Sequence, residues 1–188
     1  MNNPQTTNYQ LPTTNLVLIG MRGSGKSAIG RTLAKILNFE FADVDEILEG
    51  SEKMTIPAIV EKHGWDYFRD LETKYTQEVA KKKNCVISTG GGVILREENM
   101  ESLKKNGEII FIHSPIKQLA QRVAKDSDRP SLTGKTPHEE LEEIWQARKE
   151  LYRKYADCEL FFDFETDDKE ADLTRKAEMI LEKVEIST

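Results

Sequence analysis

Short unbroken apolar runs, separated by longer stretches of helical spacing, set the plan of the chain. Five runs stand out: Leu16 to Gly20, Phe39 to Ala42, Cys85 to Ser88, Ile109 to Ile112 and Leu160 to Phe164. Most are continuous rather than alternating, the pattern of strands covered on both faces. Between them Ile29, Leu33, Ile36 and Leu37, and later Leu141, Ile144, Trp145 and Leu151, recur at helical spacing. This alternation predicts right-handed crossovers and an α/β fold of three layers, a five-stranded parallel sheet between helices. Ligands are then expected beyond the carboxyl ends of the strands.

Local chemistry marks some helix starts. Ser114 and Pro115 suit an N-cap and first helical residue, and Thr136, Pro137 and Glu139 suit a capping box. The segment Lys125 to Lys135 is polar, contains Pro130 and Gly134, and lies between two helical stretches. It reads either as a mobile lid or as a plain surface connection. The expected organisation is a disordered tail over 1–14, one domain over 15–184 and a short C-terminal tail over 185–188.

Composition narrows the setting. A chain of 188 residues with 38% hydrophobic and 32% charged residues has the make-up of one globular domain. A net charge of -6 argues against the basic face that duplex nucleic acid requires. The two cysteines, Cys85 and Cys158, are too few for a disulfide framework and read as buried thiols in a reducing compartment. The N-terminal stretch has neither the basic cluster nor the apolar core of a signal peptide, and no run approaches the roughly 18 apolar residues of a spanning helix. A cytoplasmic monomer without membrane or nucleic-acid partners is expected.

The chemistry begins at Gly20-Met21-Arg22-Gly23-Ser24-Gly25-Lys26-Ser27, which fits G-x-x-x-x-G-K-[ST] between an apolar strand and a helical stretch. Its glycines let the backbone curl around an anion with N–H groups inward. Lys26 reaches the outer phosphates, Ser27 offers a hydroxyl to Mg²⁺, and the following helix points its positive end at the site. A glycine-rich turn would explain neither Lys26 nor Ser27. ATP with Mg²⁺ is the expected ligand.

Asp43 and Asp45 follow the second apolar run. Asp43 suits orientation of the metal and Asp45 a hydrogen bond from an attacking hydroxyl, although both also suit a turn or a helix N-cap. The third run ends in Ser88 and Thr89 without an acidic residue, which favours Asp43 for the metal. Gly90-Gly91-Gly92 offers either a backbone wall for a small ligand or a tight turn. His63, His113 and His138 have no metal-ligand spacing, and Lys81 to Lys83 suit a helix end facing water.

The P-loop, Asp43-Val44-Asp45, the segment Gly64-Trp65-Asp66-Tyr67-Phe68-Arg69-Asp70-Leu71-Glu72, Gly90 to Gly92, Asp128-Arg129-Pro130, and Arg148 with Leu151-Tyr152 occur in one order from about Leu16 to Tyr155. Together they resemble the shikimate kinase family. The resemblance implies transfer of the ATP γ-phosphoryl group to the 3-hydroxyl of shikimate, giving shikimate 3-phosphate. It also implies residue roles. Arg69 and Arg148 would grip the substrate carboxylate, with Glu72 holding Arg69; Asp45 would bond the substrate hydroxyls; and Gly90, Gly91 and Gly92 would form the wall. Nucleotide binding would fall to Gly23, Ser24, Gly25, Lys26, Ser27, Ala28 and Arg129, with Arg122 on adenine. Arg129, from the lid, would join Lys26 and Asp45 in catalysis. Ala28, Trp65 and Ser131 depart from the residues usual in the family. Rival readings are a gluconate or nucleoside monophosphate kinase, and a GTP-dependent switch, which the absence of Asn-Lys-x-Asp disfavours.

Overall fold

The structure, a computed structural model, describes residues 15–125 and 135–186. The tail over 1–14, Arg129 with most of the 125–135 segment, and residues 187–188 lie outside the described residues. Among the described residues, five strands form one parallel sheet: β1 (Asn15–Ile19), β2 (Glu40–Asp43), β3 (Cys85–Ser88), β4 (Gly107–His113) and β5 (Cys158–Phe161). Their order is β2-β3-β1-β4-β5. Within the same described residues seven α-helices flank them: α1 (Lys26–Leu37), α2 (Val44–Glu52), α3 (Ile56–Val79), α4 (Glu97–Lys104), α5 (Ile116–Lys125), α6 (Pro137–Tyr155) and α7 (Lys169–Ile186). The last helix runs into the stretch set aside as a C-terminal tail.

Both faces of the sheet are covered, which is why the apolar runs are unbroken. Leu16 and Leu18 pack with Leu33, Ile110, Ile180 and Val184 in the layer of α1 and α7. Val17 and Ile19 pack with Leu48, Ile87, Phe111 and Tyr152 in the opposite layer. All four β1 residues are fully buried, and each such side chain contributes roughly 1.5–3 kcal/mol. The edge strand β5 differs from expectation. It starts at Cys158, and its buried Cys158 and Leu160 alternate with exposed Glu159 and Phe161. Phe162 and Phe164 extend the apolar run past the strand because they pack in the α7 layer.

Helix ends follow side-chain chemistry. Thr136 caps α6 in a complete capping box with Glu139. Before α5 the expected cap is displaced: the Pro115 carbonyl accepts from Leu119 N–H, so Pro115 occupies the cap position. Ser114 Oγ, buried, makes no hydrogen bond among the described residues. Within α3 the backbone breaks at Gly64 (φ 86°, ψ 171°), and the second half of the helix sends Trp65, Phe68, Arg69 and Glu72 to one cavity.

Candidate active site

The central strand β1 ends at Ile19, and the chain turns at once against its neighbour β4. A Cβ on Gly20 would lie 2.1 Å from the Ile112 carbonyl oxygen, so only glycine fits. Gly25, at φ 88°, passes the loop into α1. Lys26 is buried and folds back over the loop, its Nζ donating to the Gly20 and Met21 carbonyls at 2.9 Å each and to Ser24 Oγ at 3.5 Å. Burial pushes its pKa down to about 8, against the upward pull of Asp45 and Asp43.

Asp43 is a helix cap, one of the two readings the sequence offered, and its second oxygen turns to the P-loop serine. Its Oδ1 caps α2 by accepting from the N–H groups of Asp45 and Glu46 at 3.0 and 3.3 Å. Its Oδ2 accepts from Ser27 Oγ at 2.6 Å, and Ser27 Oγ lies 3.3 Å from Ser88 Oγ. The tip of β3 thus contributes a hydroxyl where other strand tips would carry a carboxylate. Among the described residues there is no cluster of three or more His, Cys, Asp or Glu side chains able to hold a metal ion.

Two cavities meet at this end of the sheet. One, of about 470 Å³, includes Gly25, Lys26, Ser27, Ala28, Asp43 and Arg122 in its walls. The other, of about 460 Å³, includes Arg69, Glu72, Gly90, Gly92, Arg148 and Tyr152. Arg22, Asp45 and Gly91 line both. A group carried by a ligand in the first cavity would meet a ligand in the second at these three residues.

In the second cavity Arg69 Nη1 donates to Glu72 Oε2 at 2.6 Å, and its guanidinium lies 4.9 Å from the Phe68 ring centre and 5.5 Å from that of Trp65. Burial pushes the Glu72 carboxyl above its ordinary range, against the pull of Arg69 and Arg148. Arg148 Nη1 donates to the Gly91 carbonyl at 3.3 Å, and Tyr152 Oη donates to the same oxygen at 2.6 Å. Gly92 makes room for a side chain as well as exposing backbone: a Cβ there would stand 2.2 Å from Arg69 Nη1.

Over the first cavity, Arg122 Nη1 donates to the Gly23 carbonyl at 2.9 Å, and Nε donates to Glu165 Oε1 at 2.7 Å. A smaller cavity of about 230 Å³ adjoins it between the P-loop and α7, lined by Ser24, Ala28, Arg122, Glu165 and Leu173. The structure therefore brings together every sequence-predicted site residue among those it describes; Arg129 lies outside them. It adds Arg22, Ser88, Tyr152, Glu165 and an apolar wall that includes Ile56, Val60 and Ile144, to which the sequence assigned no role. Trp65, first noted only as a departure from the family pattern, stands in that wall, half exposed.

The chain is similar to known proteins over most of its length. The family model described as Shikimate kinase matches residues 22–183. The shikimate kinase of Thermodesulfovibrio yellowstonii is 42% identical over 144 residues, which cover 77% of this chain and 83% of that protein. Shikimate kinase 2 of Photorhabdus laumondii subsp. laumondii is 42% identical over 140 residues, 73% of this chain and 80% of its own length. Among solved structures, shikimate kinase from Acinetobacter baumannii in complex with shikimate matches with a TM-score of 0.82 at 34% identity, covering 92% of this chain and 93% of the other. With the matched region running from the phosphate loop through both cavity arginines to the last helix, the chain belongs to the shikimate kinase family, whose members are ATP-dependent kinases.

Proposed function

We propose that the chain transfers the γ-phosphoryl group of ATP to the 3-hydroxyl of shikimate, with the nucleotide in the P-loop cavity and shikimate in the arginine-lined one. The carrying observation is that these cavities meet at Arg22, Asp45 and Gly91, with Arg69 and Arg148 together on the acceptor side. Two planar guanidinium forks suit a carboxylate, and the remaining wall is apolar enough to take the carbon ring.

The roles follow from position. Lys26 and the N–H groups of the loop hold the phosphates at the start of α1. Asp45, at the junction, accepts a hydrogen bond from the acceptor hydroxyl and directs it at the phosphoryl group, as proton acceptor or as orienting base. Gly90 and Gly91 form the wall behind the ring and Arg122 covers the adenine end beside Gly23 and Ala28, while Arg129, outside the described residues, would offset charge on the transferring group as the family resemblance implies. Ser27 Oγ and Asp43 Oδ2 are one hydroxyl and one carboxylate 2.6 Å apart, hard oxygen donors of the kind Mg²⁺ takes, and they are the residues that would hold it. When bound, Mg²⁺ neutralises charge on the phosphate oxygens.

A cytoplasmic monomer acting as one domain over 15–184 is the setting we propose. Support comes from the one sheet that the described strands form and from two buried free cysteines. The decisive experiment is ADP release with Mg-ATP and shikimate, alongside gluconate and a nucleoside monophosphate as alternative acceptors. Release that depends on shikimate alone is expected. Release with either alternative and none with shikimate would refute the assignment.

A further inference from the structure

Gly90, Gly91 and Gly92 form a wall without side chains, and glycine backbone is the most permissive of all. Something else must hold it still. On one side Gly91 presses on the P-loop, where a Cβ would stand 3.3 Å from Arg22 N and 3.5 Å from the Gly20 carbonyl oxygen. On the other its carbonyl accepts from Tyr152 Oη at 2.6 Å and from Arg148 Nη1 at 3.3 Å.

Tyr152 is built to keep that contact. Its side chain is fully buried, and its ring stacks on Phe111 at 4.9 Å with 7° between planes, while Phe111 stacks on His113 at 4.8 Å and 12°. Phe111 and His113 belong to β4, so the ring rests on the sheet and cannot swing. A buried hydroxyl destabilises the fold unless it is hydrogen-bonded, and this one donates to the Gly91 carbonyl. Burial also lifts the phenol to about 12, which keeps its proton in place at any working pH.

We propose that Tyr152 is a positioning residue for the phosphoryl acceptor: its hydroxyl pins the Gly91 peptide and so fixes both the wall behind shikimate and the aim of Arg148. The inference rests on the acceptor site proposed above. With the hydroxyl gone, Arg148 is left to satisfy the Gly91 carbonyl. Its guanidinium is drawn down onto the wall and away from the substrate carboxylate, while the wall gains freedom. The nucleotide loop keeps its own bonds through Lys26 and is not loosened.

Tyr152→Phe removes one oxygen and leaves the ring stack intact. In the ADP-release assay, kcat/KM for shikimate should fall about tenfold, the scale of one lost hydrogen bond to a group that aligns substrate. The KM for ATP should stay within about twofold and the melting temperature within a few degrees, as a single exchanged hydroxyl implies. Unchanged kcat/KM for shikimate would overturn the proposal. So would a parallel rise in the ATP KM with a large loss of stability, since that pattern marks a merely structural tyrosine. If Tyr152→Phe does not fold, Phe111→Leu decides, because it keeps the hydroxyl but slackens the ring behind it: the same split between shikimate and ATP is expected, and its absence overturns the proposal. A wild-type enzyme without shikimate-dependent ADP release would instead refute the acceptor assignment itself.

Discussion

Gly92→Ala is a one-methyl test of how the acceptor is read. Gly92 has φ −104° and ψ −2°, a conformation open to alanine, so the backbone need not move. The added Cβ would lie 2.2, 2.4 and 2.5 Å from Nη1, Nη2 and Cζ of Arg69. Those atoms are the far end of a flexible side chain, and the guanidinium has to leave. A charge-assisted hydrogen bond contributes about 1.5–3 kcal/mol, so losing the fork on the carboxylate should raise the shikimate KM ~10- to 150-fold. Glu72, 1% exposed and now without its 2.6 Å partner, would take up a proton rather than stay charged in the interior. The cost to stability is about 1–3 kcal/mol, or several degrees in Tm for a chain of this size. Steady-state ADP release, with shikimate varied at saturating Mg-ATP and the reverse, reads the split. The expected result is a raised shikimate KM beside an ATP KM changed by less than about twofold, because Arg69 lies outside the nucleotide cavity. A shikimate KM that does not move would refute the assignment of Arg69 to the carboxylate, and an equal rise in both would show general damage.

Three further outcomes follow from the same geometry. Asp45→Asn should lower kcat by ~10²- to 10⁴-fold, the range for loss of a positioned base, with circular dichroism unchanged; near-normal turnover would remove Asp45 from the mechanism. Ser27→Ala deletes the hydroxyl that meets Asp43 Oδ2 and should raise the Mg²⁺ concentration for half-maximal rate roughly tenfold, and an unchanged magnesium titration would argue against this metal site. Lys26 has a depressed pKa of about 8 in the free protein, so it is charged below that pH and neutral above it. Because phosphate binds the charged form, kcat/KM for ATP should be level below about pH 8 and fall tenfold per unit above it. A profile flat to about pH 9.5 would contradict the buried, phosphate-facing lysine.

What could be read from the chain was local or periodic. The P-loop is eight consecutive residues, and its backbone conformation, Lys26 and Ser27 all follow from that short pattern. Strands appeared as continuous runs because both faces of the sheet are covered. The run misled at β5, where apolar residues beyond the strand pack on α7. For Asp43 the cap reading does not exclude the other, since a carboxylate has two oxygens: one caps α2 and the other, bonded to Ser27, stays on the P-loop side. The apolar part of the acceptor wall, with Ile56, Val60 and Ile144, was hidden because α3 and α6 meet only in three dimensions. One signal was nonetheless present: Leu141, Ile144, Arg148 and Tyr152 recur at spacings of three and four and share one face of α6. An arginine within an otherwise apolar stripe is not a solvated charge. Trp65, Phe68, Arg69 and Glu72 line the same cavity from α3, where an arginine and a glutamate at i, i+3 follow two aromatic residues.

The two halves of the site therefore rest on different parts of the fold. Arg22, Asp45 and Gly91 follow the carboxyl ends of β1, β2 and β3, which are adjacent in the sheet in the order β2-β3-β1. Their relative height is set by the register, in which Leu18 of β1 and Asp43 of β2 both stand level with Ser88 of β3. A slip of one residue would shift a strand tip by about 3.3 Å and turn its buried side chains to the opposite layer, so the core itself forbids it. Phosphoryl geometry is thus protected by the hydrophobic packing of the whole domain. Acceptor choice is not: Arg69 and Arg148 come from α3 and α6, outside the sheet, and reach the site through side chains held by Glu72, Gly91 and an aromatic wall. On the proposed assignment, substitutions on those helices would alter which small molecule is gripped without disturbing the transfer site. The sharp test of acceptor selectivity therefore lies in the cavity-lining residues of α3 and α6 rather than in the P-loop.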